Sequence, residues 1–193
     1  FSHEQGAGLY NHSSSLRLNN VEVVENSATT FGGGMMNNTS SPALTNVVFL
    51  QNLAIENGAG MYNTASSPTL TNVVFSQNFA IYGAGIYNES SSAATLTNVT
   101  LLQNEASLQG GALYSSGAAI TTLYNTLFYG NNASTGGPDI FGPAIHSNST
   151  NNASDGTGSG IGTSTNFVAL TADPFVNIND HVGADGVFGT LDD

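Results

Sequence analysis

Few residues of this 193-residue chain could perform acid–base chemistry, and they do not form a catalytic set. A glycosidase needs two carboxylates roughly 5–10 Å apart, and Glu22 and Glu25 are the pair closest in sequence among the repeated part of the chain. A lyase of acidic polysaccharide needs a base and neutralising cations, but Arg17 is the only basic residue besides four scattered histidines. We therefore predict that the protein is not an enzyme.

The C-terminal tail carries oxygen ligands of the kind that calcium prefers. Glycines at Gly183, Gly186 and Gly189 permit the sharp turns that a binding loop needs. The ligand order of an EF-hand is missing, so a solvated acidic loop is the alternative reading. No cofactor is required by the sequence, and Ca²⁺ is the one that it suggests. The candidate ligands are Asn177, Asn179, Asp180, Asp185, Asp192 and Asp193.

Eight asparagines stand in N-x-S/T sequences and are candidates for N-linked glycans. Some of these sequences arise by chance in a chain so rich in Asn and Ser, and bacteria rarely use them. Ser/Thr-rich links are expected on one edge of the molecule, where N- or O-linked glycans would cluster. The candidates are Asn11, Asn37, Asn38, Asn88, Asn98, Asn132, Asn148 and Asn152.

Four tyrosines recur at one position of a repeated phrase: Tyr10, Tyr62, Tyr87 and Tyr114, with Met36 filling the gap. If this stripe faces inward it belongs to the core, which is the reading we favour. If it faces outward, its rings could stack on the rings of a sugar.

The charge balance excludes two classes of partner. The formal net charge is −12 at pH 7, which is opposite to the basic surface of a nucleic-acid-binding protein. It also disfavours docking on anionic lipid. No apolar run approaches the roughly 20 residues of a membrane-spanning helix, and the absence of cysteine excludes a disulfide scaffold.

These residues recur because the chain is an internal repeat of about 26 residues. Two asparagine columns mark it, and we predict that each column stacks into a hydrogen-bonded ladder, because Asn also tolerates left-handed turns. The first column is Asn20, Asn46, Asn72, Asn98 and Asn125. The second is Asn26, Asn52, Asn78, Asn104 and Asn131.

The elements that position these columns are short β-strands separated by Gly, Asn and Ser-Pro turns. Leu44 and Phe49 lie on opposite parities of one strand, and a bend near Asn46 would let both point inward. A unit of this size cannot bury its inner face alone, whereas stacked copies at the strand spacing of about 4.8 Å can. The sequence therefore predicts an all-β parallel solenoid of about five to six coils.

The repeat resembles a known family in two motifs. "GGAL" at 110–113 is similar to the GGA(I/L/V) motif, and "FLQN" at 49–52, "FSQN" at 75–78 and "FYGN" at 128–131 to the FxxN motif, of chlamydial polymorphic outer membrane proteins. More broadly, the chain resembles secreted bacterial right-handed β-helix repeat proteins. The resemblance implies a right-handed parallel β-helix at the cell surface or outside the cell. It departs in detail, since most coils read GAG or GGG.

Two regions are expected within one domain. Residues 1–141 form the β-helix repeats, and residues 142–193 form an irregular region with a Gly/Ser/Asn-rich loop, a last strand and an acidic tail. "GGPDIF" at 136–141 and "DPFVN" at 173–177 look like a closing coil of the same family.

We predict a non-enzymatic, extracellular or cell-surface β-solenoid with a structural or adhesive role. The first residues, "FSHEQGAGLYN", begin inside a coil, so either the chain is cut from a longer solenoid or the end of a neighbouring copy completes the sheet. We predict the second arrangement, in which copies join end to end as a filament or fibre. Glycans or host and cell surfaces are further candidate partners; nucleic acid and a membrane span are not expected. The alternatives are a carbohydrate-binding or carbohydrate-cleaving β-helix that uses the tyrosines, and a calcium-stabilised adhesin passenger.

Overall fold

The computed structural model describes residues 2–142, 145–155 and 167–170, and all their regular elements are β-strands. The strands in chain order are β1 (Ser2–Gln5), β2 (Leu9–His12), β3 (Arg17–Val24), β4 (Ser27–Phe31), β5 (Met35–Asn38), β6 (Ala43–Leu50), β7 (Leu53–Ala54), β8 (Met61–Thr64), β9 (Thr69–Ser76), β10 (Phe79–Tyr82), β11 (Ile86–Glu89), β12 (Thr95–Leu102), β13 (Glu105–Gln109), β14 (Leu113–Ser115), β15 (Thr122–Tyr124), β16 (Leu127–Tyr129), β17 (Asn132–Ala133), β18 (Ile140–Phe141), β19 (Asn152–Ser154) and β20 (Phe167–Ala169).

The strands form three parallel sheets, which we name by their residues. The alanine sheet has the order β1-β4-β7-β10-β13-β17, and the tyrosine sheet has the order β2-β5-β8-β11-β14-β18. The long sheet runs β3-β6-β9-β12-β16-β19-β20, with β15 also paired to β12. Each coil takes one strand from each sheet in turn, so coil 1 is β1–β3 and coil 2 is β4–β6. The predicted parallel β-solenoid is confirmed, with about six turns.

The register between coils equals the sequence repeat. Leu44 pairs with Leu70 and Leu70 with Leu96, each step being 26 residues. Because the strands are parallel and in register, every sequence column becomes a row of neighbouring side chains along the rod.

Left-handed residues make the corners of each coil. Asn46 has a φ of 53°, and the bend that it introduces into β6 leaves both Leu44 and Phe49 fully buried. The bend expected near this asparagine is confirmed. A second corner joins the alanine and tyrosine sheets at a glycine in the same left-handed region, for example Gly58 with a φ of 64°.

The core lies between the tyrosine sheet and the long sheet. Met61, Leu70 and Phe75 contribute one coil's share, and each is fully buried. Phe49 and Phe75 stack with their ring centroids 4.8 Å apart and their planes within 3° of parallel. The alanine sheet points one alanine inward from each coil, and Ala54, Ala80 and Ala106 pack with Ala59 and Ala84 of the glycine-rich corners in a second buried cluster.

Candidate functional site

The second asparagine column forms a ladder inside the rod. Asn78 is fully buried, and its Oδ1 accepts from the backbone N–H and the Nδ2 of Asn52 at 3.0 and 3.1 Å. Its own Nδ2 donates to the Phe49 carbonyl at 3.1 Å and to Asn104 Oδ1 at 2.9 Å. Each amide thus forms hydrogen bonds with the preceding coil and with the next one. Because the buried polar groups of this row have partners, the row stabilises the rod.

A buried carboxylate ends this inner ladder. Asn131 Nδ2 donates to Asp139 Oδ1 at 2.9 Å, and the hydroxyl of Ser154 donates to the other oxygen of the same carboxylate. Asp139 is fully buried. Sequence reasoning missed this residue; its signal was the Asp of "GGPDIF", which stands one residue before Ile140, the partner of Leu113.

The first asparagine column forms a second ladder on the outer surface, and it runs in the opposite direction. Asn46 Nδ2 donates to Asn20 Oδ1 at 3.0 Å, and Asn72 Nδ2 donates to Asn46 Oδ1 at 3.2 Å. Its donors point toward coil 1, whereas the donors of the inner ladder point toward the last coil.

Several candidate glycosylation asparagines are members of a third ladder. Asn37 Nδ2 donates to Asn63 Oδ1 and Asn63 Nδ2 to Asn88 Oδ1, both at 2.8 Å, inside the tyrosine sheet. A buried, hydrogen-bonded amide nitrogen is not accessible to a glycosyltransferase in the folded chain. The buried candidates are Asn11, Asn37, Asn88 and Asn152. The half-buried or exposed candidates are Asn38, Asn98, Asn132 and Asn148.

The tyrosine column lies on the face of its sheet opposite the main core, but it is not uniformly exposed: Tyr62 and Met36 are buried, Tyr87 and Tyr114 are half-buried, and Tyr10 is exposed. Along β8, Met61 and Asn63 point inward, so Tyr62 between them points outward. The ring of Tyr62 stacks on Tyr87 at 5.2 Å, and the ring of Tyr87 stacks on Tyr114 at 4.8 Å.

Stacking changes what these phenols can do. The faces of the Tyr62, Tyr87 and Tyr114 rings cover one another, so a sugar ring would meet their edges; Tyr10, at the end of the stripe, is 52% exposed. Burial raises the pKa of Tyr114 above its ordinary value of 10.0, and the phenols of Tyr87 and Tyr82 raise that pKa further. The column is therefore a stack that joins successive coils, buried at Tyr62 and half-buried at Tyr87 and Tyr114.

The described glutamates lie on all three sides of the rod, and the sequence-adjacent pair Glu22 and Glu25 lies on β3 and directly after it. Glu22 lies on the long sheet, whereas Glu56 and Glu105 lie on the alanine side. On the tyrosine sheet, Glu89 accepts a hydrogen bond from the Tyr62 hydroxyl. Within residues 2–142, 145–155 and 167–170, no three His, Asp or Glu side chains are grouped as metal ligands. The candidate calcium ligands of the tail lie outside the described residues.

Coil 1 presents core side chains at the end of the described rod. Val21 and Leu18 are half-buried, although their partners in coil 2, Val47 and Leu44, are 0% and 1% exposed. The strands of coil 1 are also the edge strands of all three sheets. This end face combines half-buried apolar side chains with strand edges of the same register as the interior coils.

Comparison with protein-family models, with curated proteins and with solved structures found no match to the chain. The part of the chain with described structure also contains no helix long and apolar enough to cross a membrane. The resemblance to polymorphic outer membrane protein repeats stays a prediction made from the two motifs.

Proposed function

We propose that this protein is a non-enzymatic structural or adhesive rod that works outside the cell or on its surface. We further propose that copies associate end to end through the end face of coil 1. The location follows from the resemblance to secreted β-helix proteins. The non-enzymatic role is supported by the sequence, which offers one arginine, no lysine and four scattered histidines beside its acidic residues.

The observation that carries the proposal is the common register of the coils, which would let a coil of a second copy pair with β1–β3 and cover their apolar side chains as interior coils cover one another. In every interior coil the column of Val21 is buried by the coils on both sides, as at Val47 and Val73. Another coil of the same register, placed on β1–β3, would remove this apolar surface from water and pair the edge strands. A head-to-tail contact of this kind does not close on itself and extends into a filament.

A charge introduced at the end face tests the proposal. In Val21→Lys the ammonium group reaches solvent in a single rod but would be buried, without a partner, in an end-to-end contact. We expect the unaltered chain to form filaments in electron microscopy and fast-sedimenting species in ultracentrifugation. We expect Val21→Lys to remain a folded monomer.

The matched control is Val24→Lys, which adds the same charge to the same strand. Val24 is 36% exposed on the outer face of β3, so this variant should assemble like the unaltered chain. An unaltered chain that stays monomeric at high concentration would contradict the proposal, as would equal assembly of the two lysine variants.

A further inference from the structure

The outer face of the alanine sheet carries an apolar patch that the fold does not require. The patch consists of Leu53 and Ile55 in coil 3 and Phe79 and Ile81 in coil 4, and it is defined by these four residues. Phe79 pairs with Leu53 across the sheet. Ile55 is 55% exposed, Phe79 42% and Leu53 37%, while Ile81 is half-buried.

The neighbouring coils show that these positions tolerate polar side chains. The column of Leu53 and Phe79 contains Ser27, Glu105 and Asn132 in coils 2, 5 and 6. In each of these coils the next residue is an alanine that points inward, so the packing of the sheet against the core does not depend on the residue in this column.

The column of Ile55 and Ile81 shows the same contrast. The corresponding residue after the inward alanine is Thr29 in coil 2, Ser107 in coil 5 and Ser134 in coil 6. Packing inside the solenoid therefore does not explain large apolar side chains in coils 3 and 4. A cluster of exposed apolar groups at adjacent positions marks an interaction surface.

Carboxylates frame the patch. Glu105 pairs with Phe79 in the sheet, and Glu56 directly follows Ile55; both glutamates are exposed. The chain has no lysine, and Arg17, its one arginine, lies on the long sheet in coil 1. The field around the patch is therefore negative.

We propose that the apolar patch binds a partner segment that presents apolar side chains flanked by lysine or arginine. Charge complementarity selects this occupant over three others. A second copy offers almost no cations, anionic lipid is repelled, and the chain's own residues 171–193 contain five aspartates but neither lysine nor arginine. The patch lies on the side of the rod, so this proposal does not rest on end-to-end association.

Binding of defined peptides tests the proposal on the intact 193-residue chain. The probes are three short fluorescent peptides with alternating residues: lysine with valine, lysine with serine, and glutamate with valine. We expect the lysine–valine peptide to bind at least about tenfold more tightly than either of the other peptides. Only this peptide presents both positive charges and apolar side chains to the patch. Higher ionic strength should weaken this binding without removing it.

A patch variant locates the binding. Leu53→Ser, Ile55→Thr and Phe79→Ser are combined, since each replacement is a residue type that the same column already contains in coil 2. We expect about tenfold weaker binding of the lysine–valine peptide, with an unchanged melting temperature. The control combines Val24→Ser with Ile120→Ser, which removes exposed apolar side chains elsewhere and should leave binding unchanged.

A charge variant, Glu56→Gln with Glu105→Gln, should weaken binding mainly at low salt. The proposal is overturned if lysine–valine and lysine–serine peptides bind equally, because the acidic chain is then attracting any cation. It is also overturned if the patch variant binds the lysine–valine peptide like the unaltered chain. If that variant also associates less with copies of itself, the patch binds a second copy and not a basic peptide. Filament formation is scored separately, so failure of the end-to-end proposal leaves this result interpretable.

Discussion

At the scale of single residues, buried amides stabilise the rod more than exposed amides do. Replacing Asn78 by alanine removes the acceptor of two Asn52 donors and a donor to the Phe49 carbonyl. Because each buried group left without a partner costs about 1–3 kcal/mol, we expect Asn78→Ala to lower the free energy of unfolding by about 3 kcal/mol or more. Urea denaturation followed by circular dichroism measures the change.

The control for this prediction is Asn72→Gly in the outer ladder. Asn72 is exposed and has a φ of 53°, a conformation that glycine adopts without strain. Solvent replaces the lost amide contacts, so the expected loss is about 1 kcal/mol or less. Equal losses of unfolding free energy in the two variants would contradict the prediction that the buried ladder stabilises the rod more than the exposed one.

The residue columns in the sequence predicted which asparagines stack on one another. They did not predict which asparagine side chains are buried inside the rod. The sequence made Asn11, Asn37 and Asn88 candidates for glycosylation because N-x-S/T is a local pattern, whereas burial depends on the coils above and below. The 26-residue spacing of Asn11, Asn37 and Asn63 was the available signal for a ladder. Asp139 could not be found in this way, because no other coil has an acid at that position.

At the scale of elements, the glycine corner is fixed by both its backbone conformation and its lack of space. Gly58 has a φ of 64°, and an added Cβ would lie 2.6 Å from the Met61 carbonyl oxygen and 2.8 Å from Tyr62 Cβ. Gly117 has nearly the same φ, 63°, but its nearest neighbour would be 3.6 Å away. The two positions therefore separate steric exclusion from left-handed strain.

We expect Gly58→Ala to lower the melting temperature well beyond Gly117→Ala. The latter costs only left-handed strain of about 1–2 kcal/mol, and Ala65 already has a φ of 48° in the corresponding corner of coil 3. Gly58→Ala adds overlap with backbone that cannot move without disturbing β8, for a total of several kcal/mol. Thermal melts at equal protein concentration measure the melting temperatures of the two variants. Similar decreases in melting temperature would contradict the steric argument.

The sequence predicted short strands separated by turns in every repeat, but alternation alone left the direction of the tyrosine strand open. In β8 either Tyr62 points inward, or Met61 and Asn63 do. Hydrophobicity favoured the tyrosine. The inward asparagines prevail because their amides are satisfied along the ladder, while the outward rings still remove much of their surface from water by stacking.

At the scale of the whole molecule, the rod behaves as a row of equivalent units whose contacts are limited to adjacent coils. The repeat, the register and the number of coils followed from sequence spacing, because each column has to meet itself one coil away. The apolar patch did not, since it depends on which outward positions become neighbours after coiling.

Removal of one whole coil should therefore leave a folded, shorter rod. Deleting residues 53–78 joins Asn52 to Phe79, which takes the place of its partner Leu53 and restores every column. We expect cooperative unfolding at a lower melting temperature, because one coil and one interface are lost while the other contacts are kept. Deleting residues 53–77 removes one residue fewer and shifts the following strands against their neighbours, which turns core side chains outward. This variant should lose its cooperative melt in circular dichroism; a fold that tolerates both deletions equally would mean that side-chain columns do not set the register.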